Sequence, residues 1–158
     1  MAYNTIKLKN YSDVFEEFDA SGVIIPGELL TFDSNGDVKP HATAGGNVGP
    51  VMFALEDELQ GKEINESYAI GDKVNVWIPG RGDQVYAILA DGQNAAIGSL
   101  LESDGSGGLN VHTADVSDAP NLTNQIVGVA MEAVDRSGST EDSSSPLGGD
   151  YRIRIMII

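Results

Sequence analysis

Alternation of apolar and polar side chains with a period of two is the strongest pattern in this chain. Lys73-Val-Asn-Val-Trp-Ile78 and Tyr151-Arg-Ile-Arg-Ile-Met-Ile157 both show it, and both read as strands with one buried face. Val51-Met-Phe-Ala-Leu55 and Ile126-Val-Gly-Val-Ala-Met131 are continuous apolar runs suited to central strands. Gly128 inside the second run predicts a bulge or a close backbone approach. Glu28–Phe32, the turn Ser34-Asn-Gly36 and Asp37–Lys39 predict a hairpin, because Asn-Gly supplies the positive φ values of a tight turn. Ser103-Asp-Gly-Ser-Gly-Gly108 predicts a second, looser one. Helical periodicity is confined to single turns at Ser12–Phe18 and Leu55–Gly61, too short to persist. The predicted class is all-β.

The elements recur. Pro26–His41 lies over Ile97–His112 at a shift of 71, with Gly27/Gly98, Leu29/Leu100, Leu30/Leu101, Asp33/Asp104, Gly36/Gly107 and His41/His112 identical. The same shift sets Val14, Phe15 and Phe18 over Val85, Tyr86 and Leu89. Further on it grows to 76, where Val51, Ala54, Leu55 and Glu56 meet Val127, Ala130, Met131 and Glu132. At 79, Val74, Val76 and Ile78 meet Ile153, Ile155 and Ile157. The extra residues fall in the polar stretch Ala114–Asn124, where a loop insertion costs little. This is the pattern of a tandem duplication, with halves at about 12–80 and 83–158. Residues 12–158 then form one β domain, and residues 1–11 an N-terminal arm outside the repeated unit. A small closed or partly open barrel, or a tulip-like variant of one, is the expected architecture, because closure removes exposed strand edges.

Charge narrows the partners. Among 158 residues, 9 Lys and Arg face 24 Asp and Glu, a net charge of −15. Phosphate backbones need clustered cations, so nucleic acid is excluded as an expected partner. The absence of Cys removes disulfides, thiolate metal sites and cysteine nucleophiles, and two His are too few for a His-rich metal centre. No apolar run reaches signal-peptide or membrane-span length, so no membrane association is expected.

The motifs that hint at chemistry have plainer explanations. Asp33-Ser-Asn-Gly-Asp37 resembles part of a calcium loop, but the twelfth position falls on Ala44, and a hairpin turn explains the same residues. His41 and His112 hold matching places at strand ends. Arg81-Gly82-Asp83 spells an adhesion tripeptide within a Gly-rich connection between the halves. Nucleophile elbows and phosphate-binding loops are missing. The expected protein is not an enzyme and holds no cofactor or metal. Binding to another protein surface is the reading left.

The arm fits that reading. Ile6 and Leu8 alternate with Lys7 and Lys9 between Tyr3 and Tyr11, a pattern suited to adding a strand to a partner's sheet edge. Arg152 and Arg154 share one face of the last strand. These eight residues are the expected interface with a shell or a neighbouring subunit.

From Pro26-Gly-Glu-Leu-Leu-Thr-Phe-Asp-Ser-Asn-Gly-Asp-Val-Lys-Pro-His41 onward the sequence resembles the head decoration, or cement, proteins of tailed bacteriophages. Ala54–Gly61, Tyr68–Asp72, Gly82–Ala87, Leu89–Gly92, Ile126–Ala133 and Arg152–Ile155 extend the likeness over roughly residues 20–158. The resemblance implies a virion protein on the outer surface of the capsid that stabilises the shell. It implies the major capsid protein as partner and a homotrimer as the assembled form. The competing reading is a carbohydrate-binding or host-adhesion β domain, with Trp77 and Tyr86 as its only aromatic pair.

Overall fold

The computed structural model describes residues 4–9, 14–113, 124–138 and 151–158. Tyr3, Tyr11 and most of the predicted loop insertion lie outside them. Among these residues thirteen short strands run in the order β1 (Lys7–Lys9), β2 (Phe15–Asp19), β3 (Leu30–Phe32), β4 (Val38–Pro40), β5 (Phe53–Ala54), β6 (Lys73–Trp77), β7 (Gln84–Ile88), β8 (Asn94–Ala95), β9 (Leu100–Ser103), β10 (Leu109–Val111), β11 (Ile126–Ala130), β12 (Val134–Asp135) and β13 (Arg152–Ile157). A single 3-10 turn at Glu58–Gln60 is the only helical element among the described residues. The chain is all-β, as its alternation predicts.

One sheet has six strands in the order β1-β7-β13-β11-β9-β10, and another has three in the order β2-β6-β5. Hairpin β3-β4 and the pair β12-β8 complete the set. Among the described residues the expected barrel does not close into one continuous sheet: β10 meets the chain just after β7 only at the parallel bridge Leu89↔Leu109.

The hydrogen bonds of the two halves correspond in detail. Glycine 27 donates to the Ala54 carbonyl and Gly98 to that of Ala130; Ala54 N–H donates to Glu28 O and Ala130 N–H to Ser99 O. His41 N–H bonds Leu29 O as His112 N–H bonds Leu100 O. Asp33 Oδ1 accepts from the N–H groups of Asn35 and Asp37, and Asp104 Oδ1 accepts from those of Ser106 and Gly108. Both hairpins are thus closed by an Asp side chain mimicking backbone. In one place the backbone departs from the sequence alignment. Ala20 N–H bonds Asp72 O where Leu89 N–H bonds Tyr151 O, so β2 matches β7 at a shift of 69 rather than 71. Phe15 therefore corresponds to Gln84, not Tyr86.

Two cores result. The larger holds Ile6, Leu29, Phe53, Trp77, Val85, Leu101, Ile153 and Ile155; the smaller holds Ile24, Leu30, Val38, Met52, Tyr68, Val74 and Val76. Strand β6 lies between them, sending Trp77 into one and Val74 and Val76 into the other.

The close approach expected at Gly128 is present: a Cβ there would stand 2.8 Å from the Met156 carbonyl oxygen, and the β11–β9 register shifts beside it. Backbone cannot yield as a flexible side chain would. Gly128→Ala is expected to lose roughly 1–3 kcal/mol in urea unfolding, the usual range for an overpacked site. Gly138→Ala, with nothing within 4 Å of its Cβ, should stay within about 0.5 kcal/mol of the parent. Equal midpoints for the two variants would refute the account.

Candidate interaction surface

The N-terminal segment is part of the fold over the residues described. Strand β1 pairs antiparallel with β7, Tyr86 N–H donating to Ile6 O at 2.7 Å. Ile6 is fully buried in the larger core, and its N–H donates to Glu56 Oε2 at 3.0 Å. The Thr5 hydroxyl bonds the other Glu56 oxygen. This corrects the reading of 1–11 as an arm standing off the domain: for residues 4–9 the chain's own sheet edge supplies the backbone partners that solvent exposure would deny.

The other expected contact residues divide. Lys7 and Leu8 are half-buried and Lys9 is exposed, while the Lys7 ammonium lies 4.3 Å from the centre of the Phe15 ring. Arg152 is buried, its guanidinium donating to Asn65 Oδ1 at 3.0 Å, Pro26 O at 2.9 Å and Ile64 O. It stacks 4.8 Å from the Tyr151 ring centre, and Arg136 lies 5.8 Å from that ring. Burial holds the Arg152 guanidinium below its usual pKa. Ile6 and Arg152 therefore face the interior, not a partner. Arg154 is half-buried and donates to Met131 O at 3.2 Å.

Sequence reasoning missed a polar seam between the halves. His41 Nε2 lies 3.1 Å from Asn47 O, which requires a proton on that nitrogen, so in the neutral ring Nδ1 accepts the Ser103 hydroxyl at 2.7 Å. Gly105 N–H fills a lone pair of the same hydroxyl at 3.1 Å. A Ser–His contact invites a nucleophile–base reading, but Ser103 is fully buried and its hydroxyl is sealed from any substrate. Beside it, Glu28 Oε2 accepts the Ile25 N–H at 2.8 Å, the bond that Ser99 Oγ makes to Ala96 N–H in the other half. Burial pushes the Glu28 carboxyl up to about 8; that hydrogen bond lowers it, Asp104 raises it and Arg152 lowers it. The signal available in the sequence was position: Glu28 and Ser99, and His41 and His112, align.

The remaining motifs are occupied structurally. Asp83 is fully buried and accepts the Gly80 N–H at 2.8 Å, so the Arg81-Gly82-Asp83 tripeptide does not display its carboxylate. Trp77 and Tyr86 are both buried, which removes the sugar-stacking platform. The Asp33 carboxylate is engaged by its own turn, which holds it below the usual range. An open hollow of about 290 Å³ lies beside β1, lined by Asn4, Glu56, Glu58, Glu63, Ile64 and Asn65. Its Glu56 and Asn65 oxygens already serve Thr5, Ile6, Tyr151 and Arg152.

What the surface does offer is strand β2. Phe15 is 39% exposed, Glu16 and Glu17 are exposed, and Phe18 meets the Phe32 ring edge-on at 5.1 Å.

No protein-family profile and no curated protein matches the chain. Among solved structures it is similar to the N-terminal base of head fibre protein gp8.5 of bacteriophage phi29, with a TM-score of 0.54 and 14% identity over 93% of this chain and 95% of that one. That likeness defines the class at the level of fold: an all-β domain of the same overall build, matched along nearly its whole length.

Two stability predictions follow from this geometry. Ile6→Ala should cost about 2–5 kcal/mol, the range for emptying a core aliphatic site, whereas a detached arm would lose nothing measurable in denaturant unfolding. For Glu28 the folded pKa lies above the unfolded one, so between about 4.5 and 8 the folded state keeps a proton that the unfolded chain releases. Stability is then highest at the acid end of that window and falls as pH rises, by at most about 1.4 kcal/mol per unit. Glu28→Gln removes this slope. Its stability relative to the parent should rise from pH 5 to pH 8 in urea titrations, and a pH-independent difference would refute the assignment.

Proposed function

We propose that this chain is a structural protein of a tailed-phage virion, attached to the outer surface of the head through the major capsid protein. The observation that carries the reading is the fold likeness to a phage head-fibre base along nearly all of both chains. The resemblance of residues 20–158 to head decoration proteins supports it from sequence. The engaged state of Ser103, His41, Asp83 and Trp77 supports a binding role rather than catalysis or sugar recognition.

Within that role we favour the decoration, or cement, function, in which the protein bridges neighbouring capsomers and resists their separation, as a homotrimer at three-fold positions. The internal duplication belongs to the same proposal. Matching hydrogen bonds at shifts of 69, 71, 76 and 79 support descent from one repeated unit. The acidic surface, with a net charge of −15, suits an outward face, since it opposes aggregation of shells and capture of nucleic acid. A fibre base is the second reading, favoured because the similar structure is itself the base of a head fibre. It shares the site of attachment and differs in mechanical consequence.

Adding the purified protein to expanded heads that lack it separates the possibilities. Cement function predicts density at three-fold positions in cryo-electron microscopy and heads that survive a higher temperature before releasing DNA. Density with unchanged thermal resistance would identify an anchor for a fibre. Heads that stay bare would remove the virion reading altogether. Light scattering of the detached protein is expected to give three times the mass of one chain.

A further inference from the structure

We infer that the outer edge of β2 is a docking slot for an extended apolar–basic segment of a partner protein. The inference goes beyond attachment to a phage head and does not rest on it.

The argument starts from backbone parity. Ile78 N–H bonds Val14 O and Ala20 N–H bonds Asp72 O, so the even-numbered residues of β2 face β6. The N–H and C=O groups of Phe15 and Glu17 therefore point away from the sheet. Strand β2 lies at the end of its sheet, and its first partner on the open side is Val38, which bridges only at Ala20. Among the described residues, Phe15 and Glu17 form an unpaired edge. Exposed edges of this kind are templates for strand addition.

The other half shows what such an edge accepts. Strand β7 is the counterpart of β2 at a shift of 69, which sets Tyr86 over Glu17. Its outward N–H groups are taken: Tyr86 by Ile6 O of β1 and Ile88 by Gly27 O. The segment filling that edge is Ile6-Lys7-Leu8-Lys9, an alternation of aliphatic and basic side chains. The other aliphatic–basic alternation, Arg152-Ile153-Arg154-Ile155, lies within the large sheet between β7 and β11, so neither segment reaches the β2 edge.

Charge selects the occupant of β2. Glu16 and Glu17 are exposed, and Asp19 is bound by Lys73 at 2.7 Å. A second copy's β2 would bring Glu16 and Glu17 against their own like charges, which disfavours self-pairing. A strand with Lys or Arg at alternate positions would place cations beside them. Phe15 already receives the Lys7 ammonium over its ring at 4.3 Å, so this end of the edge is suited to a basic side chain.

The test uses the full chain and an acetylated, amidated peptide of the sequence Asn-Thr-Ile-Lys-Leu-Lys, taken from residues 4–9. Titration followed by amide NMR should shift and protect Phe15 and Glu17 first, and raising salt from 50 to 500 mM should weaken binding several-fold. Glu17→Pro removes the central outward N–H at an edge position where proline is tolerated, and should abolish binding with the fold intact. Glu17→Lys should weaken it at least several-fold, while a peptide with both lysines replaced by glutamate should not bind. Shifts confined to Tyr86 and Ile88 would mean exchange at β7 and would overturn the proposal. So would binding that survives Glu17→Pro, or no binding at millimolar peptide. A concentration-dependent dimer lost in Glu17→Pro would assign the edge to a second copy and overturn it likewise. Failure here leaves head attachment untouched, because none of these measurements involves a capsid.

Discussion

The buried guanidinium of Arg152 is the interaction on which the relation between the two halves depends. It projects from a central strand of the second half and holds Pro26 and Ile64 carbonyls and the Asn65 side chain of the first. A charge taken out of water costs several kcal/mol unless its donors are satisfied, so this contact fixes geometry more than it adds stability. It sets the Pro26–Gly27 turn against β7, where the Gly27 carbonyl receives the Ile88 N–H. A Cβ on Gly27 would stand 3.1 Å from Tyr86 O and 3.2 Å from Arg152 Nε, and its φ is 95°. Only glycine satisfies both demands. The adjacent Glu28 is also buried, and the Arg152 charge offsets a small part of the rise that burial gives its carboxyl.

The strands were legible because alternation is a local property. The hairpins at Asn35-Gly36 and Gly105–Gly108, the close approach at Gly128 and the paired places of His41 and His112 could all be read from neighbours in sequence. The β2–β7 register could not. A shift of two residues keeps every side chain on the same face, and apolar matching favours 71, which sets Val14 and Phe15 over Val85 and Tyr86, where 69 sets them over Asp83 and Gln84. The hydrogen bonds set 69. Ile6 and Arg152 were assigned to a partner's surface for a related reason: alternation with Lys7, Lys9 and Arg154 marks a strand but not whose sheet it joins. In the folded chain β13 is flanked by β7 and β11, and the two Nη groups of Arg152 donate to the Pro26 and Ile64 carbonyls and to Asn65, all far away in sequence. The β2 edge left no mark in the sequence at all, because being an edge depends on which strands lie alongside.

Symmetry within the chain, and its breaking, organises the surface. Strands β2, β6 and β5 follow the same order as β7, β13 and β11, with hairpins β3-β4 and β9-β10 attached at Leu29↔Phe53 and Leu100↔Val129. Two similar units would expose two similar edges, which is an aggregation hazard. One is covered from within by β1. The other carries Glu16 and Glu17, charges that discourage pairing with a like copy. The same residues that protect the edge thus define what it admits.

Affinity at such an edge is bounded by its length. Two outward residues offer few main-chain hydrogen bonds, each worth a net of about 0.5–1.5 kcal/mol, and ordering a partner's segment costs about 1–2 kcal/mol per residue. A single contact of this kind is weak and releases readily. It becomes useful where many copies face a repeating lattice, since a second and third attachment then proceed at high effective concentration. Weak single contacts also let misplaced copies detach before the array is complete. An acidic edge that is specific in charge and modest in strength is therefore better matched to ordered assembly on a repeating surface than to capture of one soluble partner.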